Sequence, residues 1–461
     1  MIVEYTGLQA SQLTWVIAVG LLAFWLISLP LLIRIQDGWE QLFMTLKGLV
    51  WIGFGVGIAL RFFVLAYDAE AFASPSTRLI ERPPDVVNLA LITAGVYWMC
   101  FVAAAFVAHL PTVPAFLVTC VRRPEAMAKR AILPISFMSA ICLTVSLVPS
   151  TPPALITPLS VLGSMWVIPA TIVWIGMFTG EAVSRFTLAA TLAPGVLRVV
   201  LSPYREHILS IALVVLVSAV FSGRRLRLGI AVPVAAVLVL GSTIVISTYR
   251  QVIWMDVAPD DAIARVSLDT WEDQPFDAPW TEVMRRFHDF DSLLLTVDLV
   301  PSMLPFSERD MLLEGFSRGL IPRFLDPTKR LSDEGLQFQT LIWSFDNDPN
   351  REDATASIAP SMPGSLYAAR GMIEVVGGAL LWGALIGLLD RFKTAIGSPV
   401  AAGIQVMFAT QALGGIERDF SAAFANMIQA LFLLLLVMFF LGRREPVPQS
   451  STLEAAAPSI Q

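Results

Sequence analysis

Apolar and polar positions alternate along the chain in long blocks. Runs of roughly twenty apolar residues, the length a helix needs to cross a bilayer, are divided by short polar breaks. Such windows fall near 11–33, 45–66, 86–108, 131–149, 155–178, 187–202, 207–222, 228–248, 371–390, 398–415 and 420–442. They predict an all-α polytopic membrane protein with about eleven transmembrane helices. The window 187–202 is short and contains Pro194 and Arg198, which predicts a broken or re-entrant helix. The first run, Leu13 to Ile33, has neither a basic start nor a small-residue cleavage site, so it is read as a retained span.

One interruption is far longer than a connector. The segment 249–370, about 120 residues, is expected to carry function. Within it Val283, Phe287, Phe290, Leu294 and Val297 recur at helical spacing, and Phe306, Leu312, Leu313 and Phe316 form a second set. Both sets predict short amphipathic helices lying over the bundle. The expected organisation is a transmembrane bundle over 1–248, the long segment over 249–370, three C-terminal helices over 371–442 and a disordered tail over 443–461, rich in Pro, Ser and Ala. No internal repeat of the transporter kind is evident.

Charge sets the expected orientation. Basic residues gather in one set of short loops, at Arg34, Arg122, Arg123, Lys129, Arg130, Arg185, Arg224, Arg225, Arg227, Arg391, Lys393, Arg443 and Arg444. The alternate set holds only Arg78, Arg82, Arg205 and Arg418. The positive-inside rule then puts the N-terminus and the long segment outside and the C-terminus in the cytoplasm. A mean hydropathy of +0.70 with 56% hydrophobic and 15% charged residues is far from soluble averages. The net charge of −6 averages basic loops with an acidic long segment and gives no reason to expect nucleic acid. Cys100, Cys120 and Cys142 have neither metal-site nor disulfide-framework spacing and read as packing residues. No Walker loop, His-Glu-x-x-His or nucleophile elbow occurs, which argues against ATP-driven work and metallohydrolysis.

The richest candidate chemistry lies in Arg318-Gly-Leu-Ile-Pro-Arg-Phe-Leu-Asp-Pro-Thr-Lys-Arg330, which gathers four cations and two prolines. Pro322 and Pro327 stiffen the turn that presents Arg323, and Lys329 adds a second positive charge, an arrangement suited to phosphate or carboxylate, or to an interfacial loop whose cations sit at lipid headgroups. Upstream, Arg285-Arg286-Phe-His-Asp-Phe-Asp291 spaces Arg285 from Asp289, and His288 from Asp291, for ordinary contacts along one helix. The same residues can instead bind an anion through Arg285 or Arg286 and offer His288 or Asp289 as a base. Lys47 and Arg61 lie fourteen residues apart on one span, hence on roughly the same face and about 21 Å apart. Lys47 can snorkel to the cytoplasm, and Arg61 either snorkels or joins Arg323 near the outer surface. Arg198, beside a predicted helix break, is a further intramembrane cation, and Glu374 is read as an interfacial residue facing the bundle.

Gly319-Leu-Ile-Pro-Arg-Phe-Leu-Asp-Pro-Thr-Lys329 resembles the I-P-R-x-L-x-P-x-K signature of the Wzy-type O-antigen and exopolysaccharide polymerases. Gly364-Ser-Leu-Tyr367, the span ending Gly387-Leu-Leu-Asp-Arg391, and Arg418-Asp-Phe-Ser-Ala-Ala-Phe-Ala-Asn426 are similar to the elements C-terminal to it in that family. The resemblance covers mainly 280–442, with Asp326 where an aromatic is usual and Ser365-Leu366 where an acid is usual. It implies a GT-C-like bundle in a bacterial inner membrane that joins undecaprenyl-pyrophosphate-linked oligosaccharide repeats on the outer face, with no nucleotide sugar and no metal or other cofactor. The implied partners are that lipid-linked glycan, membrane lipids, a chain-length regulator and a flippase. The implied site holds Arg323 with Lys329, Arg286, Arg285, Arg198, Arg61 and Arg418 for pyrophosphate, and His288 or Asp289 as base. An O-antigen ligase shares this architecture, and a non-enzymatic flippase for the same lipid-linked sugars is the alternative from another class.

Overall fold

A computed structural model of the chain describes residues 10–32, 45–67, 82–108, 124–146, 148, 150–201, 205–223, 289–307, 310–321, 360–396, 399–416 and 419–442. Most of these residues are helical, with no strand among them. In chain order the helices are α1 (Gln12–Leu32), α2 (Leu46–Phe54), a π segment (Gly55–Ala59), α3 (Arg61–Tyr67), α4 (Pro84–Val107), α5 (Pro124–Ser146), α6 (Pro153–Ser164) and α7 (Val167–Thr179). They continue as α8 (Arg185–Leu201), α9 (Arg205–Phe221), α10 (Asp289–Leu299), α11 (Met311–Leu320), α12 (Met362–Arg370), α13 (Met372–Ile396), α14 (Pro399–Ile416) and α15 (Phe420–Gly442). Six stretches among the described residues are long and apolar enough to cross a membrane: Gln12–Leu32, Leu46–Tyr67, Pro84–Val107, Pro158–Thr179, Met372–Arg391 and Phe420–Val437. The chain is therefore a helical membrane protein, and the window 228–248 lies outside the described residues.

Small residues let the spans approach one another, as expected where lipid removes the hydrophobic drive between helices. Gly383 and Gly387 of α13 form a G-x-x-x-G pair, and a Cβ on them would stand 2.4 Å from the Phe101 carbonyl and 2.8 Å from the Ala105 carbonyl of α4. The matched numbering, 383 with 101 and 387 with 105, makes α4 and α13 parallel neighbours. Between α1 and α2 the contact is aromatic. The Trp25 and Trp51 rings stack at 4.2 Å, and each indole N–H donates to the other residue's carbonyl, at 2.9 and 2.8 Å. Each indole polar group is thus satisfied inside an apolar layer. Helix α7 stops at Gly180, whose φ of 89° gives the left-handed C-cap.

Three expectations need correction. The stretch 187–202 is not broken: α8 runs through Pro194, which helices in an apolar setting tolerate when neighbours accommodate the freed backbone. Gly195 beside it lets the Trp166 ring pack closely, since a Cβ there would meet that ring at 2.5 Å. Helix α10 is not amphipathic, because all of its residues but Asp298 are buried. It is packed into the bundle against α4, α12 and the π segment.

Helix α11 is amphipathic, but its small and polar face packs on α15 and its apolar face points outward. Gly315 packs on Phe424 and Gly319 on Ile428 and Ala425, so α11 runs parallel to the first half of α15. Leu313, Phe316, Leu320 and Ile321 face outward, while Gly315 and Arg318 are buried. In lipid the apolar face belongs outside and the small and polar face against a partner helix. The Gln429 amide donates to the Arg318 carbonyl at 2.9 Å, so α11 ends roughly 13 Å along α15 from Phe420.

Candidate functional site

The π segment Gly55–Ala59 interrupts the second span just before Arg61. Nothing in its sequence, Gly-Val-Gly-Ile-Ala, marks it as a breaker. The wider turn shifts every later residue of the span by about one position, roughly 100° around the axis, so Lys47 and Arg61 do not share the face that a regular helix would give them. Arg61 turns inward instead of snorkelling. Its Nε and Nη2 donate to the two carboxylate oxygens of Asp291, at 2.9 and 2.7 Å, with side-chain exposures of 1% and 0%. A planar fork meeting both oxygens of a carboxylate is the strongest ion-pair geometry available to side chains.

Asp289 lies two residues earlier on α10 and is also buried. Its carboxylate presses on the π segment: a Cβ on Gly57 would lie 2.1 Å from Asp289 Oδ2. Glycine at 57 is what admits the acid. One cation and two carboxylates from distant parts of the sequence thus meet inside a membrane bundle, where charge is costly.

A second polar network ties α11, α12 and α15 together. Asp419 accepts the backbone N–H of Ala422 and the Ser421 hydroxyl, at 2.9 and 2.8 Å, so it caps α15. Arg318 donates to Ser421 Oγ at 2.8 Å and pairs with Glu314 at 2.6 Å, one turn back on its own helix. Ser365 of α12 accepts the Phe420 N–H at 2.9 Å. Glu374 is buried and faces the bundle, accepting the Leu312 N–H at 3.3 Å. Tyr367 packs edge-on to Phe306, and burial pushes its phenol pKa up. Outside these, Arg370 reaches Asp310 at 3.4 Å, and Arg82 pairs with Asp298.

Arg198 belongs to a different cluster. Its Nε donates to His207 Nε2 and its Nη2 to Ser160 Oγ, both at 3.3 Å. Helix α8 packs on α5, α7 and α9, so Arg198 does not complete a pocket with Arg61; its immediate partners come from α6 and α9. Lys47, expected to reach the cytoplasm, is instead buried at the opposite end of its span, where Asp390 accepts the backbone N–H of Leu46 and Lys47 at 2.6 and 3.0 Å.

Of the residues expected to form a site, Arg61 and Asp289 come together, and Arg198 stands apart. Arg323, Lys329, Arg285, Arg286, His288 and Arg418 lie outside the described residues, as does Cys120. Asp291, expected to contact His288 along one helix, gives both oxygens to Arg61. Glu314, Ser421 and Asp419 join the Arg318 network. Glu314 and Arg318 stand four apart, a spacing that signals their pair, and Asp419 immediately before an apolar run signals a cap. Among the described residues no group of three or more His, Cys, Asp or Glu could hold a metal.

A family model described as a domain of unknown function, DUF8712, matches residues 40–443. The chain belongs to this family. No curated protein and no solved structure matches it. The DUF8712 region contains the Arg61 cluster, the Arg318 network and the Arg198 cluster, and leaves out α1.

Proposed function

We propose that this DUF8712 protein is a membrane glycosyltransferase that polymerises oligosaccharide repeats carried on undecaprenyl pyrophosphate, with about eleven spans, its N-terminus and active face outside the bacterial inner membrane and its C-terminus inside. The observation that carries the reading is the forked Arg61–Asp291 pair, which fixes the start of α10 against the bundle at a π turn, with Asp289 buried beside it. Segments that irregular helix turns hold in this way are frequently functional. The Arg318 network supports it further. It fixes the first cation of the Arg318–Arg330 stretch on α15, so the Wzy-like signature starts from a defined point on the bundle.

In this reading Arg323, Lys329, Arg285 and Arg286 bind the pyrophosphate, and Arg418 lies at the adjoining turn. The acceptor hydroxyl oxygen attacks the anomeric carbon and gives its proton to the Asp289 carboxylate, with His288 the alternative base. The bond from the anomeric carbon to the pyrophosphate oxygen breaks, and its electron pair leaves with the diphosphate. Fixed cations stabilise that developing charge and need no reorganisation when it appears. Arg61 acts through Asp291, as a positioning residue.

The test is the glycan profile of cells carrying Arg323→Ala. Polymer is expected to disappear while single repeats remain transferred to the acceptor; normal chain lengths would defeat the reading. Long chains stranded on the lipid carrier would instead indicate a ligase, and repeats trapped on the cytoplasmic side a flippase.

A further inference from the structure

Helices α10 and α12 lie side by side and both run from the interior of the bundle to its surface. Their far ends meet at the turn 301–307, most of whose residues are exposed: α10 leads straight into it, and the Ser307 N–H donates to the Ala368 carbonyl of α12 at 3.0 Å. Their starts are buried, at Asp289 and at Ser361, the N-cap of α12. At Gly364 the seam between them is bare of side chain. A Cβ there would lie 3.1 Å from Ser361 Oγ and 3.3 Å from Thr296 Oγ1.

Asp289, Ser292 and Thr296 stand at i, i+3 and i+7 along α10, on one face of the helix, and all three are buried. Thr296 makes the usual bond of a helical hydroxyl, donating back to the Ser292 carbonyl at 2.7 Å. Ser292 does not. Its Oγ is buried and has no hydrogen-bond partner among the described residues. An unmade hydrogen bond inside a protein is costly, so alanine at this position would suit the fold better. A hydroxyl left free one turn from a carboxylate is explained by chemistry instead.

We infer that Ser292 and Thr296 relay the proton that Asp289 takes up, passing it along the α10–α12 seam toward the turn 301–307. This rests on the polymerase reading, in which Asp289 accepts the proton of the acceptor hydroxyl. A base that keeps that proton works once, and a polymerase must work repeatedly. On the side of the π segment Asp289 is closed in, because its carboxylate presses on Gly57, which leaves the seam as the route outward. In one concerted step the Asp289 O–H bond breaks and its proton bonds to Ser292 Oγ, the Ser292 proton bonds to Thr296 Oγ1, and the Thr296 proton passes to a water in the seam. The carboxylate is restored, and rotation between staggered positions resets the two hydroxyls. One proton has moved from Asp289 to water, and nothing is oxidised or reduced. Ser292 and Thr296 act through Asp289 and touch no sugar.

The experiment follows the full chain in phosphatidylcholine nanodiscs with lipid-linked repeats, and measures the first turnover and the later ones separately by rapid quench, in H2O and in D2O. Ser292→Ala deletes a hydroxyl that bonds to nothing in the fold, so the melting temperature should equal or exceed that of the parent. The first turnover should keep the parental rate, since Asp289 starts without the proton. Later turnovers should slow by more than about tenfold and show a larger solvent isotope effect. Ser292→Cys, which keeps a group able to accept and donate, should recover part of the later rate. If Ser292→Ala does not fold, Gly364→Ala gives the reading instead, because its methyl fills the seam beside Thr296 and should slow the later turnovers alone. Later turnovers at the parental rate, or equal slowing of first and later turnovers, overturn the inference and leave the polymerase reading untouched. A parent chain that makes no polymer at all overturns both.

Discussion

The span Leu46–Tyr67 is anchored by an aspartate at each end, and the two anchors are of different kinds. At its start Asp390 gives both oxygens to the first free backbone N–H groups, while Thr45 Oγ1 accepts the Gly48 N–H at 3.1 Å. That is a helix cap, and the buried Lys47 ammonium lies close enough to Asp390 for the two charges to interact. At the other end Asp291 pairs with a side chain through both oxygens, and a second buried acid stands beside it against a π turn. A buried ion pair contributes little net stability against an apolar replacement. Two carboxylates and a cation are buried together at this end, where the proposed reaction is placed.

If the second anchor is functional, the largest effect falls on Asp289. Asp289→Asn keeps the shape and removes the proton acceptor, so the polymerisation rate measured with purified enzyme and lipid-linked repeats should drop by about 10²–10⁴. A rate within a few-fold of the parent would assign the base elsewhere, with His288 next in line.

The pair itself separates stability from activity. Arg61→Leu leaves Asp291 buried without its forked partner and should cost about 3–5 kcal/mol, read by thermal unfolding of the solubilised protein. Combining it with Asp291→Leu should restore most of that stability, since an apolar pair replaces an ionic one at little net cost. Polymer should stay absent in the double variant. Recovery of both stability and polymer would reduce the pair to a fold element like Asp390.

A smaller effect is expected at Gly57. A methyl there stands 2.1 Å from Asp289 Oδ2, so Gly57→Ala must displace the carboxylate or the π turn, at about 1–3 kcal/mol. Because the displaced group is the proposed base, activity should fall further than the melting temperature implies. A variant with parental rate and parental stability would show that the acid moves freely.

How far the fold can be read from the residues is set by the solvent. In lipid every backbone group must be satisfied within the helix, so among the described residues the apolar windows fall on helices, six of them long enough to span. Three features are hidden for the same reason. Gly55–Ala59 contains no proline or polar residue to mark a π turn. Pro194, a breaker in water, is carried inside α8. The periodicity of α11 gives its two faces but not that the small, polar one packs on α15. The site is half legible: Arg61 and Asp289 both stand out in the sequence, but Asp291 matches a neighbour on its own helix, because a partner 230 residues away leaves no local spacing to read.

The cap at Asp390 supplies the smallest prediction and the control for the others. Asp390→Ala removes two acceptors from the start of α2, and the loss of a helix cap costs about 0.5–2 kcal/mol. Thr45 still accepts from Gly48, but Leu46, Lys47 and Asp390 are all buried and the Lys47 charge loses the Asp390 carboxylate, which moves the effect toward the upper part of that range. Polymer length and rate should match the parent once expression is normalised. A selective loss of activity at normal melting temperature would undo the contrast from its structural side: the two anchors would then differ in geometry but not in role, and the concentration of charge near Arg61 would no longer mark where the chemistry occurs.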